Sequence, residues 1–353
     1  MATLSNLLRL VPLQLAELPS HPALKLSMHQ ERGRETSRAS ETQLQSIDPQ
    51  TTPQTLNGSE PHTPEADGCP PILSFIKAIL DDAVVFIDDT LPTSFGPHSI
   101  KSSTPAKTRV ELLQRKISAN ELSKVDWQGS KIPRNPPDNI ASEAWYARRS
   151  CHVNEQAKGT ANFSEFDYGL RIDHCQHEGD YTPEVYDTFK VLDWKIPDAL
   201  DKVESDFADY QNITMSIFEM CHKLPFPLST RVFPVLVITA TTGEQDFIVV
   251  QLPVEIGTVQ EAFYSNGRNL KEGSSALKRK RPILGKYTSI ERCVLRPISN
   301  EIEWTMATTS DAKGWLPMWM QKLGVPGAVA KDVGFLMDWI REKRRAGPLE
   351  GGI

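Results

Sequence analysis

Residues 287–309 have the sequence YTSIERCVLRPISNEIEWTMATT. Two runs of this segment, Tyr287–Arg296 and Glu301–Thr309, are rich in β-branched and aromatic residues and flank the turn residues Pro297–Asn300. This pattern predicts two antiparallel strands joined by a short turn. A helical pattern follows, from Trp315 to about Lys343, so the chain is expected to pass from a hairpin into a long terminal helix.

The chain before this hairpin is also strand-like. Val232–Ala240 and Asp246–Val254 flank the turn residues 241–244 and predict a second hairpin. Further elements are predicted upstream: a short helical or extended piece at Val110–Ile117, strands at Trp145–His152, Val185–Trp194 and Ile213–His222, a helix at residues 72–90, and a helix from Ser164, its N-cap, to about His174.

Hairpins in succession make an antiparallel sheet, and such a sheet must bury at least one face. The terminal helix, with an expected interruption at Gly324–Gly327, carries an apolar stripe suited to cover that face, which consists of Val329, Val333, Leu336, Met337 and Ile340. We therefore predict an α+β protein in which a curved antiparallel sheet wraps around a long C-terminal helix. The space between them is a hydrophobic cavity unless side chains fill it, and periodicity alone leaves both alternatives open.

The junction between the last strand and the helix carries a recognisable segment. Residues 311–317, DAKGWLP, resemble a segment at the same junction of START (steroidogenic acute regulatory protein-related) lipid-transfer domains. Residues 317–319 and 322–326, PMW and KLGVP, look like the helix start of the phosphatidylcholine-binding members. Residues 227–231, PLSTR, are similar to a START motif whose next residue is Asp, which Val232 replaces here.

A closer resemblance is to a group of fungal START-like proteins of uncharacterised function. It is carried by residues 145–150, WYARRS, by residues 264–270, YSNGRNL, by residues 287–292, YTSIER, and by the terminal helix. The resemblance covers about residues 90–343. It implies a helix-grip fold of the Bet v 1-like superfamily and a hydrophobic ligand, and it implies no reaction.

Composition divides the chain into four regions. Residues 1–18 are leucine-rich and predict a short amphipathic helix, and residues 19–70 are rich in Ser, Thr, Pro, Gln and Glu, which predicts a disordered linker. Residues 71–343 are expected to form the START-like domain, and residues 344–353 a flexible tail.

Charge and cysteine content limit the class of protein. Lys and Arg total 39 against 45 Asp and Glu, a net charge of −6, which argues against a nucleic-acid-binding protein. The five cysteines are widely spaced and odd in number, which favours reduced thiols in a cytoplasmic protein. The sequence also lacks an apolar run long enough for a transmembrane helix.

One dense basic run interrupts this acidic background: Lys278, Arg279, Lys280 and Arg281. Three interpretations remain open from sequence. The run is a nuclear-localisation signal, a peripheral contact with an anionic membrane beside the cavity, or a solvated loop.

Polar residues on the predicted strands are candidates for the cavity floor. Arg149 or Arg292, paired with Glu219 or Glu303, would orient the polar group of a ligand; the alternative is that these side chains face solvent on the open side of the sheet. The full set of candidate ligand-binding residues is Arg149, Met215, Ile217, Glu219, Tyr287, Arg292, Glu303, Trp304, Trp315, Trp319, Val333 and Met337.

Signatures of catalysis and metal binding are weak. Residues 173–178, DHCQHE, contain potential zinc ligands but lack a second, distant pair, so we expect a polar helix end without metal. Cys151 and His152 are adjacent on a strand and point to opposite faces, which rules out a catalytic pair. The sequence contains no nucleophile elbow, P-loop or dinucleotide fingerprint. We therefore expect no cofactor and assign no catalytic residue.

These observations favour the binding, with or without intermembrane transfer, of a lipid or other hydrophobic small molecule. One alternative is an enzyme of the polyketide cyclase or aromatase kind, which would use Tyr146, Tyr287 or Arg292 in the same cavity. A second alternative is an interaction module with a packed interior. Whether the protein is an enzyme stays open at this point, with binding favoured.

Overall fold

The computed structural model of the protein describes residues 4–25, 68–196, 210–224, 228–311 and 318–347. The strands form one ten-stranded sheet. In chain order they are β1 Gly96–Ser102, β2 Arg109–Ile117, β3 Glu143–Val153, β4 Val185–Trp194, β5 Gln211–His222, β6 Arg231–Gly243, β7 Asp246–Pro253, β8 Ile283–Leu284, β9 Lys286–Arg296 and β10 Glu301–Asp311. The described helices are α1 Ile72–Val85, α2 Leu91–Ser94, α3 Ala119–Leu122, α4 Phe163–Leu170, α5 His174–Tyr181, α6 Asn269–Glu272 and α7 Met318–Ala346.

The strand order in space is β1-β2-β3-β10-β9-β7-β6-β5-β4, and neighbours along this path are antiparallel. The short strand β8 pairs with β6 in parallel. Both predicted hairpins, β6–β7 and β9–β10, are confirmed. Register shifts interrupt four of the pairings and increase the local twist, which bends the sheet.

The terminal helix α7 covers one face of this curved sheet. Val333, Leu336 and Ile340 are fully buried and belong to a core cluster with residues of the central strands. This is the predicted helix-grip arrangement of an α+β fold. The expected interruption at Gly324–Gly327 is wrong, because the helix continues through these residues. Pro326 lacks a backbone N–H group, so α7 loses one hydrogen bond there, but the helix runs on through this position.

The end of α7 is also more ordered than expected. We predicted a flexible tail from residue 344, but the helix reaches Ala346 and Arg344 forms a two-pronged ion pair with Glu165, with its Nε and Nη2 atoms 2.6 Å from the two carboxylate oxygens. The same guanidinium donates to the carbonyl oxygens of Ala157 and Thr160. These contacts attach the last turn of α7 to helix α4.

The predicted single helix from Ser164 to His174 is two helices. The N-cap is Asn162 rather than Ser164, and it forms a reciprocal capping box with Glu165. Asp173 adopts a left-handed conformation, with φ of 45°, and separates α4 from α5. Strand β1 was not predicted; it is an exposed edge strand whose burial has no clear alternation.

The opposite face of the sheet is covered as well. Helix α1 and residues 4–25 pack on it, and they bury Leu8, Leu13, Leu18 and Leu24 completely. Residues 4–18 do not form the predicted amphipathic helix: this part of the chain is irregular, with a bridge from Leu13 to Val254 and one 3₁₀ turn at Leu15–Glu17.

The guanidinium of Arg134 explains why the segment is not helical. It donates to the carbonyl oxygens of Asn6, Val11 and Pro12 at 2.9–3.0 Å, so these groups need no intrahelical partner. Because Leu24 is buried, the folded part of the chain begins before residue 71. The rest of the predicted linker, residues 26–67, lies outside the described residues.

Candidate functional site

A buried ion pair lies on the sheet face that α7 covers. Arg148 of β3 and Glu291 of β9 are both in register with Met306 of the intervening strand β10. Arg148 Nη2 donates to Glu291 Oε1 at 2.8 Å, and Trp304 Nε1 donates to the same oxygen at 2.8 Å. The guanidinium carbon of Arg148 lies 3.7 Å from the centre of a Trp304 ring, which adds a cation–π contact. Arg148 is 1% exposed.

Two further carboxyl groups face the same interior from the helical side. Glu178 lies on the buried side of α5, and Asp332 lies on α7 beside Val333. Burial raises the pKa of Glu178 to about 7 and that of Asp332 to about 8. We call Arg148, Glu178, Glu291 and Asp332 the interior polar cluster, because the charges of the first three all act on Asp332.

Two polar side chains next to Glu178 are already paired. His174 Nδ1 lies against the carbonyl oxygen of Leu170, and its Nε2 lies against the amide nitrogen of Gln251. Nδ1 is therefore the protonated nitrogen and Nε2 the acceptor, which makes the imidazole neutral. Burial lowers the pKa of His174 and favours the same state. His174 thus places no cation beside Glu178, although Nε2 is 3.7 Å from Glu178 Oε2.

Four side chains between α7, α5 and the sheet are only partly buried. Glu178 is 24% exposed, and Tyr181, Tyr287 and Asp332 are also only partly buried by area. Burial nevertheless raises the pKa of all four groups, so they lie away from bulk water. The hydroxyl of Tyr287 has no hydrogen-bond partner in the described parts of the chain.

The predicted site residues fall on two different faces of the sheet. Tyr287, Trp304, Val333 and Met337 lie on the side of α7. Met215 and Ile217 belong to the opposite core, under α1 and the N-terminal segment. Trp315 lies outside the described residues, as does the side chain of Trp319.

The charged pairs predicted from sequence do not form. Arg292 binds Asp246 and Asp88, each with a shortest distance of 2.6 Å, and these carboxylates raise its pKa although burial acts to lower it. Arg149 Nη1 is 3.8 Å from Glu111. Both arginines lie on the face away from α7, where Arg292 is largely buried and Arg149 and Glu111 remain partly exposed.

The two predicted glutamates also lie on that second face. Glu219 is fully buried and accepts hydrogen bonds from the backbone N–H groups of residues 263–265, at 2.6–3.2 Å. Its carboxylate fixes the segment after β7. Glu303 pairs with Arg296 at 3.1 Å near the surface.

Sequence reasoning missed the four members of the interior polar cluster. One available signal was strand alternation. If Trp304 points toward α7, so does Met306, and the antiparallel register then places Arg148 and Glu291 beside it. Glu178 and Asp332 had a weaker signal, namely a carboxyl group on the apolar side of a helix.

Several connections between strands lie at one end of the sheet, and the chain leaves β10 toward α7 at the same end. His222 at the end of β5 pairs with Arg231 at the start of β6, and Asp311 at the end of β10 pairs with Lys286 at the start of β9. The segment between β7 and β9, which carries the basic run, begins and ends at this same edge. Arg279, Lys280 and Arg281 are exposed, and Lys278 pairs with Asp187 at 2.9 Å.

The structure also has an open cleft of about 1340 Å³. It is lined by the N-terminal segment, by residues 135–142, by the start of β3 and by the adjacent ends of β9 and β10. Arg9, Glu17 and Glu143 of its wall belong to two buried ion pairs: Arg9 with Glu143 at 2.7 Å, and Glu17 with Arg134 at 3.3 Å. The first pair attaches the N-terminal segment to β3 and the second attaches it to the loop before β3, so a structural role accounts for both.

Two features that would indicate other functions are missing from the ranges that the structure describes. These ranges contain no group of three or more His, Cys, Asp and Glu side chains placed to hold a metal ion. They also contain no helix with the length and apolar character needed to cross a bilayer.

Several solved structures are similar to this chain at low identity. Human STARD10 is 11% identical, with 75% of this chain and 81% of that chain covered and a TM-score of 0.47. Human StAR-related lipid transfer protein 5 is 10% identical, with coverage of 77% and 97% and a TM-score of 0.47. A STAR-related lipid transfer protein from Xanthomonas axonopodis is 11% identical, with coverage of 69% and 98% and a TM-score of 0.40.

Sequence comparison gives a family but no characterised relative. No curated protein matches the chain. One family model matches residues 145–340, from the start of β3 to the buried part of α7. Because this match covers more than half of the sequence, the chain belongs to the family described as protein of unknown function, DUF3074.

Proposed function

We propose that the protein binds a lipid or other hydrophobic small molecule in a hollow between the sheet and α7. The observation that carries this proposal is that α7 lies across one face of a curved sheet while side chains on this side, among them Tyr181 and Tyr287, pack against its core and stay only partly buried. Incomplete burial at this position leaves space beside them. Protein interiors are otherwise close-packed, so a space of this kind is suited to a guest molecule.

The walls of the hollow supply the affinity for an alkyl chain. The core cluster on this face includes Trp304, Val333 and Met337, and Met306 packs against it while remaining only partly buried. Burial of each CH₂ group contributes about 0.8 kcal/mol, so a chain of about ten carbons needs few polar contacts to bind. The polar group of the guest would lie near the interior polar cluster, where Glu178 and Asp332 are only partly buried.

The test is to detect a bound molecule and then to fill its binding site with a larger side chain. We expect native mass spectrometry of full-length protein, purified without detergent, to show an added mass that organic extraction removes. The extracted protein should bind a fluorescent alkyl-chain probe, and Met306→Trp should abolish this binding. Ile298→Trp is the control, because Ile298 is fully exposed. Protein that carries no guest and binds no probe would contradict the proposal.

The enzyme alternative loses one of its three candidate residues, Tyr146, Tyr287 and Arg292. Tyr287 lies on the α7 side of β9, whereas Arg292 lies on the other side and is held by two carboxylates. Arg292 therefore cannot act on a substrate that is bound beside Tyr287.

Transfer between membranes would need a docking surface beside the hollow. We propose that Arg279, Lys280 and Arg281 provide it, since they are exposed and lie at the end of the sheet where α7 begins. Each basic residue near an anionic membrane contributes about 1 kcal/mol. We expect co-sedimentation with vesicles that contain phosphatidylserine but not with pure phosphatidylcholine vesicles.

Charge-matched variants test the location of this surface. Replacement of Arg279, Lys280 and Arg281 by Gln should abolish vesicle binding. The same replacement of Arg109, Lys158 and Arg296, which are exposed toward the other end of the strands, should leave it intact. Equal losses in both triple variants would mean that only net charge matters and would contradict a local docking site.

A further inference from the structure

The segment between β7 and β9 carries an exposed apolar side chain beside the basic run. Leu270, on the short helix α6, is 43% exposed, and the next residue, Lys271, is exposed as well. A single exposed leucine needs no explanation by itself, so its surroundings decide what it means. The other strongly exposed large apolar side chains of the described ranges lie outside this segment: Val85, Ile100, Val153 and Ile298.

Contacts join α6 to the basic run. Asn269 is fully buried, and its Nδ2 atom donates to the carbonyl oxygens of Lys278 and Lys280 at 2.8 Å and 3.0 Å. A Cβ atom at Gly273, just after α6, would lie 2.9 Å from the backbone nitrogen of Arg279. Helix α6 therefore packs directly against the run, and Leu270 follows the residue that holds it there. We call residues 263–281 the basic segment.

The sheet holds the basic segment in place. Glu219 of β5 accepts hydrogen bonds from the backbone N–H groups at its start, residues 263–265. Asp187 of the edge strand β4 binds both ends of the segment: its Oδ1 atom is 2.9 Å from Lys278 Nζ, and its Oδ2 atom accepts from the hydroxyl of Tyr264 at 2.5 Å. The charge of Lys278 is thus used within the protein, and the exposed cations of the run are those of residues 279–281.

An apolar side chain next to three exposed cations fits a membrane surface. An anionic bilayer offers headgroups that attract Lys and Arg and, directly below them, an apolar layer. Basic side chains stay at the level of the headgroups while an apolar neighbour reaches deeper. A solvated polyanion, such as a nucleic acid or an acidic peptide, offers the charges without the apolar layer. The leucine therefore favours the bilayer as the partner.

We propose that Leu270 enters the boundary between headgroups and acyl chains of an anionic membrane, while Arg279, Lys280 and Arg281 bind the headgroups. This inference rests on the docking surface proposed above, and it specifies a bilayer as the partner. Because Glu219 and Asp187 attach the basic segment to the sheet, insertion of Leu270 would also turn this end of the sheet, where the chain leaves β10 toward α7, to the membrane.

The first test measures the contribution of the leucine to vesicle binding by the full-length protein. Leu270→Gln keeps every charge and should weaken binding to phosphatidylcholine vesicles that contain phosphatidylserine by about 3- to 10-fold, because only the exposed 43% of the side chain moves from water into apolar surroundings. Ile298→Gln is the matched control, since it changes a fully exposed apolar side chain at the β9–β10 turn, and it should bind as the wild type does. Both variants should keep the thermal stability and the alkyl-chain probe binding of the wild type.

The second test reports the depth of the side chain. Fluorescence of Leu270→Trp should shift to shorter wavelength when these vesicles are added, and lipids that are brominated in their acyl chains should quench it. Ile298→Trp should show neither change beyond the signal of the seven natural tryptophans, which the wild type gives.

The outcomes separate this inference from the proposals on which it rests. If Leu270→Gln binds the vesicles as tightly as the wild type and Leu270→Trp is not quenched, insertion is wrong while docking by charge stands. If soluble polyglutamate binds as tightly as the vesicles and Leu270→Gln weakens neither, the partner is an acidic macromolecule and the inference is overturned. If the wild type binds no vesicles, insertion and the docking surface both fail, and the alkyl-chain probe still tests the hollow.

Discussion

Arg148 and Glu291 form an ion pair across an intervening strand, with Met306 of β10 in register between them. The pair is nearly dry, since Arg148 is 1% and Glu291 is 7% exposed. Buried pairs of this kind often stabilise a fold less than apolar side chains of the same size. Stability alone therefore does not explain why a charged pair occupies this buried position.

We expect the removal of one partner of this ion pair to lower the free energy of unfolding far more than the removal of both. We expect Arg148→Met to lower the free energy of unfolding by about 3–5 kcal/mol, because it leaves the Glu291 carboxylate buried without a cation. The double variant Arg148→Met/Glu291→Met should recover most of this loss and lose the binding of polar guests. Urea denaturation measures the stability. A double variant as unstable as the single one would show that the pair itself holds the sheet together.

The raised pKa of Glu178 predicts how stability changes with pH. In the unfolded chain this carboxyl ionises near its ordinary value of 4.5, and in the folded protein near 7. The folded state thus binds the extra proton between these values, and the contribution of Glu178 to stability falls as pH rises through this range. Above pH 7 the penalty is complete and amounts to about 3 kcal/mol, since a tenfold change in the ionisation constant corresponds to about 1.4 kcal/mol.

Glu178→Gln should remove this penalty. We expect the variant to match the wild type near pH 4 and to be more stable by up to about 3 kcal/mol at pH 8. Thermal or urea unfolding at a series of pH values measures the difference. His152, whose pKa burial lowers to about 3, acts in the opposite direction: its contribution is lost as pH falls below 6.5, equally in both proteins. A constant difference at all pH values would show that Glu178 does not titrate as described.

The sheet and the terminal helix were predictable because their apolar residues repeat with the periods of a strand and a helix. The inward face was not predictable, because a strand such as β9 has apolar residues on both sides: Cys293 and Leu295 face α7, whereas Ile290 faces the other core. Sequence alone assigned Arg149 and Arg292 to the site, each one residue away from a true member of the cluster. A shift of one residue moves a side chain to the opposite face.

The N-terminal segment was not predictable for a different reason. Its leucines are buried by a backbone without a regular period, so a helical pattern could not describe them, and the arginine that holds the segment is about 120 residues away in sequence. The buried leucines of residues 4–18 belong to one hydrophobic core with strand residues that are far away in sequence.

Packing of this segment has a direct test. Leu8 is fully buried, and Leu8→Ala should lower the free energy of unfolding by about 2–4 kcal/mol. Ala16→Ser, at an exposed position of the same segment, should change it by less than about 0.5 kcal/mol. Chemical denaturation of the two variants beside the wild type gives both values. A neutral Leu8→Ala would contradict the contact between the N-terminal segment and the sheet.

Two glycines of α7 provide the test of how closely this helix approaches the rest of the protein. A Cβ atom at Gly334 would lie 2.6 Å from the carbonyl oxygen of Thr104 and 2.8 Å from the hydroxyl of Ser103, which receives a hydrogen bond from the Gly334 N–H. Backbone atoms cannot move aside as a flexible side chain does. Gly334→Ala should therefore destabilise the protein by about 1–3 kcal/mol.

Gly327 is the matched control, because a Cβ atom there meets nothing within 4 Å. Alanine at this helical position should stabilise the protein by about 0.5–1 kcal/mol, since it reduces the conformational freedom of the unfolded chain. Opposite signs for the same substitution, measured by thermal unfolding, would place the close contact at the middle of the helix rather than at its start. If both substitutions stabilise, α7 does not lie against residues 103–104.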